Sequence, residues 1–261
     1  TTCTQAGIQA ALNGGGHITF SCGGGPVTIP ISSQLELNTE LDTMIDGVGL
    51  VTLDGQNSSR ILNKEWHRYE TIGPVNITIQ NMRFINAQGP SGSDHMGGAI
   101  RVGYSGTSLH IIDSTFENNH TSDQNTSDNQ GGAIFVHNAT ETIISGSVFT
   151  TNSAGSGGAF GGIATDLFVY NSIFTNNSAA DNTSGGIVRG YGGAIALDGV
   201  DKNFDLGDND RVYFCGSQFE DNRAIRGGGA IDVVVSDNYG TKTIVEKSSF
   251  IDNEVTGLDG E

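Results

Sequence analysis

Carboxylates, histidines and basic side chains are where chemistry would start, and in this chain they are scattered. The densest acidic run is Asp205-Leu206-Gly207-Asp208-Asn209-Asp210, which makes Asp205, Asp208 and Asp210 the candidate calcium ligands. It lacks the full ligand spacing and the closing Glu of an EF-hand. Asp94, His95, Asp123 and Asp128 are further polar groups in the spacers. The six histidines, His17, His67, His95, His110, His120 and His137, show no H-E-x-x-H spacing and read as surface residues. A calcium-assisted polysaccharide lyase would need several carboxylates around the ion, with an Arg or Lys beside them to take a proton from a uronic-acid ring.

Aromatic residues offer a different chemistry. Phe168 and Tyr213, with His110 and Ile143, stand six residues before a recurring Phe, while Tyr170 and Ile112 stand four before it. Side chains an even number of residues apart share one face of a strand. These six positions therefore make an outward apolar and aromatic stripe across adjacent strands. Either a long loop, residues 61–73 or 198–211, lies over it as a second core, or it stacks sugar rings or docks a protein partner. Cys215 shares that face, as a free thiol or an intermolecular bridge.

The recurring Phe belongs to a repeat that must position all these groups. Phe-x-x-Asn occurs at Phe116/Asn119, Phe149/Asn152, Phe174/Asn177, Phe219/Asn222 and Phe250/Asn253, with a degenerate copy at Phe84. Between the copies lie Gly97-Gly98-Ala99-Ile100, Gly131-Gly132-Ala133-Ile134, Gly157-Gly158-Ala159-Phe160, Gly192-Gly193-Ala194-Ile195 and Gly228-Gly229-Ala230-Ile231. Two alternating signals with variable spacers define a repeat architecture. Aligned on the Phe, Ile77/Ile79, Leu109/Ile111, Thr142/Ile144, Leu167/Val169, Val212/Phe214 and Thr243/Val245 point inward. Ser114, Ser147, Ser172, Ser217 and Ser248 form a hydroxyl column, preceded by bend-tolerant Asp113, Gly146, Asn171 and Gly216, and by Lys247. This describes one coil of a parallel β-helix, with the Asn residues as an internal amide ladder. After each Gly-Gly-Ala-(Ile/Phe), the outward residues are Arg101, Phe135, Gly161, Ala196 and Asp232. Arg101 and Asp232 lie four strand spacings apart, about 19 Å, so no compact acid and base group assembles.

The N-terminal part departs from the repeat. Residues 4–12 read as one short helix capped by Thr and ended by Asn13-Gly14-Gly15-Gly16. Segments 17–20, 27–31 and 35–37 alternate as first strands. Asp46-Gly47 and Asp54-Gly55 read as turns, because both residue types tolerate positive φ. Trp66, His67, Arg68 and Tyr69 break the pattern as a loop. Cys3 and Cys22 flank the amphipathic stretch at the N-terminus, and a disulfide between them fits an oxidising compartment.

Composition sets the outer bounds. Gly is 39 of 261 residues and Pro 4, with no collagen period. A net charge of -17, with only 12 Lys plus Arg, argues against nucleic-acid and anionic-membrane partners. No apolar run approaches the ~20 residues of a membrane span, and no signal peptide is visible, so the chain reads as mature or trimmed. Sequons at Asn57, Asn76, Asn119, Asn125, Asn138, Asn176 and Asn182 permit glycosylation. The whole chain reads as one all-β domain: an N-terminal cap over 1–25, irregular first coils over 26–79 and regular repeats over 80–261. No closing cap is visible at the end, so a fragment or a covering element is expected there.

The Phe-x-x-Asn and Gly-Gly-Ala-Ile units closely resemble the repeats of the polymorphic outer-membrane proteins, within the pectate-lyase-like right-handed parallel β-helix superfamily. The resemblance covers residues 80–261, and it implies a right-handed β-helix, export and adhesion. The resulting expectation is a secreted or surface-displayed protein with an adhesive or structural role, binding a glycan, a protein or itself. It leans away from catalysis and requires no cofactor, with calcium the one open candidate. The alternative is a calcium-assisted polysaccharide lyase or other carbohydrate-active enzyme.

Overall fold

The computed structural model describes residues 1–65, 73–92, 95–103, 106–122, 129–180, 190–199, 211–234 and 242–257. One α-helix, Gln5–Gly14, precedes a succession of short strands. Among the described residues the strands form a 14-stranded, a seven-stranded and a four-stranded sheet, and their pairings are parallel. Each repeat visits the sheets in the same order. Thr107–Ile112 and Thr115–Glu117 lie in the largest sheet, Ile134–His137 follows in the seven-stranded sheet, and Glu141–Ser145 returns beside Thr107–Ile112. Later repeats add Ser153–Ala154, Ser178–Ala179, Arg223–Ala224 and Glu254–Val255 as the four-stranded sheet. Parallel neighbours need long crossovers, and each circuit through the other sheets supplies one.

The inward columns are buried as the alternation requires. Leu109, Ile111, Ile144, Leu167, Val169, Val212 and Phe214 are fully buried within one hydrophobic cluster that runs from Ile8 to Ala230. At its centre Phe84, Phe116, Phe149, Phe174 and Phe219 stack face to face, with centroids 4.7–4.9 Å apart and planes within 8°. Strand spacing sets that separation. Burying each ring contributes about 1.5–3 kcal/mol.

Beside the rings runs the amide ladder. Asn152 donates from Nδ2 to Phe116 O at 3.1 Å and to Asn177 Oδ1 at 2.9 Å, while its own Oδ1 accepts from the backbone and side-chain nitrogens of Asn119. Asn119, Asn177 and Asn222 repeat the pattern. A buried amide without partners would cost several kcal/mol, so the ladder requires Asn in consecutive repeats. In the Phe84 repeat Ala87 holds that position, and only its backbone nitrogen joins, donating to Asn119 Oδ1. A hydroxyl ladder runs parallel: Ser147 donates from N to Ser172 Oγ and from Oγ to Ser145 O.

Two left-handed positions turn the chain. Asn81, Asp113, Gly146, Asn171, Gly216 and Lys247 have φ of 46–66°, and so do Asn86, Asn118, Thr151, Asn176, Asp221 and Asp252, at 49–58°. The second column, two residues after each Phe, has no single residue type to mark it. The paired glycines have a steric reason as well: a Cβ on Gly158 would stand 2.4 Å from Gly193 O of the next repeat.

The N-terminal part bears out some expectations and corrects others. Thr4 caps the helix through Gly7 N, the helix buries Ile8 and Leu12, and Cys3 is bonded to Cys22 with Cα atoms 5.6 Å apart. Asp46-Gly47, however, is not a turn. Thr43–Asp54 is one strand with a bulge between Asp46 and Val51, and the positive φ falls on Val48 and Gly49. Gly47 is small for another reason: a Cβ would meet Met82 Sδ at 2.3 Å. After Asp54-Gly55 the positive φ likewise falls on Gln56 and Asn57. This strand pairs with Val75–Ile85 on both sides of the bulge, so the parallel pairing begins well before residue 80. Thr243 and Val245 hold inward positions but are exposed, as is Phe250.

Candidate functional site

The register sets the residues of the aromatic stripe in two adjacent outward rows. His110, Ile143, Phe168 and Tyr213 are successive partners in one outward row, and Ile112, Ser145, Tyr170 and Cys215 in the next. All eight are half-buried. The Tyr170 and Tyr213 rings lie 5.7 Å apart, tilted by 52°. Tyr213 donates its hydroxyl to Glu246 at 2.8 Å, and His110 lies 3.3 Å from Glu141. The hydrogen bond to Glu246 pushes the Tyr213 phenol up, and burial pushes up Tyr170, with Cys215 and Glu141 adding to it. Both phenols therefore stay protonated at neutral pH and present neutral rings. Cys215 is a free thiol on this face.

The candidate calcium ligands Asp205, Asp208 and Asp210 lie outside the described residues, as do Trp66, His67, Asp94, Asp123 and Asp128, and most of the loops 61–73 and 198–211 expected over the stripe. Among the described residues no three or more His, Cys, Asp or Glu side chains converge as a metal-binding group. Of the described sequons, Asn57, Asn76 and Asn176 are exposed, whereas Asn119 and Asn138 are buried.

The outward face of the seven-stranded sheet holds a cluster that repeat alignment missed. Glu36, Asn63 and Arg101 occupy one row across three strands. Asn63 donates from Nδ2 to Glu36 at 2.8 Å and to Glu65 at 2.9 Å, and accepts from Arg101 Nη1 at 3.2 Å. Arg101 also lies 3.5 Å from Glu65. Asn63 is completely buried although it points away from the core. The segment Ser59-Arg60-Ile61-Leu62 carries no Gly-Gly pair to mark this repeat in the sequence. Arg60 takes the second Gly position, and its guanidinium donates to Gly97 O, Met96 O and Gln34 Oε1. The alternation Leu62-Asn63-Lys64 against Ile100-Arg101-Val102 was the available signal.

Farther along that row, Phe135 is outward but only 1% exposed. The turn at Gly97 lies against it, since a Cβ there would stand 3.1 Å from the Phe135 Cβ. His137 is half-buried rather than a free surface residue, and burial, helped by Arg101, holds its imidazole below the usual range. Burial and the neighbouring Asp198 push the Asp232 carboxyl up. The register runs Arg101, Phe135, Gly161, Ala196, Asp232, so the guanidinium and this raised carboxyl sit on strands four spacings apart.

Comparison with protein-family models, with curated proteins and with solved structures gives no match to this chain. No helix among the described residues is long and apolar enough to cross a membrane. The disulfide is the kind of bond that persists in oxidising, extracellular compartments.

Proposed function

We propose that the three sheets wind as a right-handed parallel β-helix of the polymorphic outer-membrane type, secreted or displayed at a cell surface, which acts by binding rather than catalysis. Its ligand is a glycan or a protein surface, held on the stripe of Ile112, Ile143, Phe168, Tyr170 and Tyr213 with His110 at its edge. The observation that carries this reading is the Tyr170 and Tyr213 pair, two neutral rings 5.7 Å apart on adjacent strands and bordered by carboxylates. Rings so placed can stack on sugars or anchor a partner, and such anchors supply most of an interface's affinity. The parallel register and the disulfide support the fold and the export.

The test is a glycan array and cell-surface pull-down with the whole chain, beside Tyr170→Ala and Tyr213→Ala. Both variants leave the inward columns intact, so circular dichroism should be unchanged while binding falls at least tenfold. Unaltered binding in both would remove the stripe from consideration.

A second reading, a polysaccharide-active enzyme, draws on the Glu36, Asn63, Glu65 and Arg101 cluster. Cleavage of an acidic polysaccharide, stimulated by calcium and lost in Arg101→Ala, would establish it in place of the first.

A further inference from the structure

The helix Gln5–Gly14 is fastened at its two ends by different means. Its C-terminal end runs through Gly15 into strand Gly16–Thr19, which pairs with Thr43, Met44, Ile45 and Asp46. Asn38 adds a bond from Nδ2 to Asn13 O at 2.8 Å. At the N-terminal end the tie is the bond from Cys3 to Cys22, which closes a loop with a sequence separation of 19. It holds the residue just before the cap Thr4 against the segment that follows strand Gly16–Thr19. Both cysteines pack on the core but are only half-buried, so a dissolved thiol can reach them.

The helix covers one side of the segment 31–37. Gln5 accepts from Ser32 N at 3.0 Å and donates to Ser33 O at 2.9 Å, and Gln9 accepts from Glu36 N at 2.8 Å and donates to Glu36 O. The other amides of the segment point the opposite way, to backbone. Ile31 N donates to Asp54 O, Leu35 N to Ile61 O and Leu37 N to Asn63 O, at 2.8–2.9 Å. One side of the segment is therefore held by the neighbouring chain, and the other only by two side chains of a ten-residue helix. So short a helix is not stable alone in water, so its place depends on buried Ile8 and Leu12 and on its two attachments.

We propose that the Cys3–Cys22 bond is a redox latch on this helix. Oxidised, it holds the first turn over the edge at Ser32 and Ser33; reduced, that turn lifts away and uncovers the edge. A dithiol opens the latch by exchange. One thiolate attacks a cysteine sulfur, the other cysteine leaves as a thiolate and takes up a proton, and the second thiol closes on the mixed disulfide to free the first. The dithiol is oxidised to a disulfide while Cys3 and Cys22 are reduced to thiols. An uncovered strand edge is a template for another strand, so the latch confines the closed form to oxidising compartments.

Amide hydrogen exchange on the whole folded chain, before and after dithiothreitol, tests this. Cys3→Ser with Cys22→Ser serves as the permanently open form, and circular dichroism confirms that the strands persist. Reduction should speed exchange at Ser32 about tenfold or more, and at Glu36 by less, because Gln9 lies nearer the end that the chain itself holds. Ile31, Leu35 and Leu37 should keep their rates, and reoxidation should restore protection at Ser32. Cys215→Ser should leave the whole response intact, which separates the latch from the free thiol. Unchanged protection at Ser32 in the reduced chain and in the double variant overturns the proposal. So does a bond that dithiothreitol cannot reduce in the folded chain, or an equal acceleration at all five amides, which would make the bond a general staple rather than a latch.

Discussion

Gln9 pairs with both backbone groups of Glu36. Its Nε2 donates to Glu36 O at 2.9 Å and its Oε1 accepts from Glu36 N at 2.8 Å. One turn earlier, Gln5 does the same for Ser33 O and Ser32 N. Helix residues four apart share a face, so two side-chain amides stand where a neighbouring strand would otherwise bond the edge of the seven-stranded sheet. Gln9→Ala removes both bonds from a partly wet site, and a loss of about 1 kcal/mol in urea denaturation is expected. Faster hydrogen exchange at the Glu36 amide should accompany it; unchanged exchange would show that the edge is held by other means.

Phe160 and Gly162 exchange volume. The other Gly-Gly-Ala repeats place Ile and then Val or Leu at these two positions, as in Ile134/Val136 and Ile195/Leu197. Here the larger ring leaves no room, and a Cβ on Gly162 would meet Leu197 Cδ2 at 2.7 Å and Phe160 Cε1 at 3.0 Å. Gly162→Val alone should cost about 1–3 kcal/mol through overpacking. Phe160→Ile alone should cost roughly 1–3 kcal/mol through the space it leaves. Together they recreate the pair of the neighbouring repeats, so their combined cost should fall well below the sum. Simple additivity in thermal unfolding would refute the coupling.

Lys64 occupies an inward position paired with Val102 and is completely buried. Burial lowers its pKa from 10.5 to about 8. Between those values the unfolded chain binds a proton that the folded chain does not, so stability rises as pH climbs from 8 towards 10.5. Below pH 8 the buried ammonium opposes folding in full, by about 3 kcal/mol. Lys64→Met should flatten the rise between pH 8 and 10.5, measured as the difference between the two chains' urea midpoints. Parallel pH profiles would count against it.

The parts legible in sequence were those that repeat one residue type. Phe116, Phe149, Phe174 and Phe219 were readable as one recurring column, and Asn152 and Asn177 as a ladder, because each position needs one shape or one set of bonds in consecutive repeats. The left-handed turn two residues after each Phe was not readable, because Asn118, Thr151, Asn176 and Asp221 all satisfy it. The Asp46-Gly47 signal misled because Gly47 answers to Met82, a residue far along the chain. The Glu36, Asn63, Glu65 and Arg101 cluster escaped because Arg60 replaces the glycine that marks its register.

Sequence alone determined the alternation of the strands, the two adjacent outward rows that bring Tyr170 beside Tyr213, and the pairing of Cys3 with Cys22. Each follows from local periodicity or from a chemistry with few solutions. Tertiary structure decided that Phe135 is covered, that Lys64 is interior, and that Glu36 and Glu65 meet on Asn63. These depend on which backbone lies one strand spacing away across spacers of unequal length, and no local pattern carries that information.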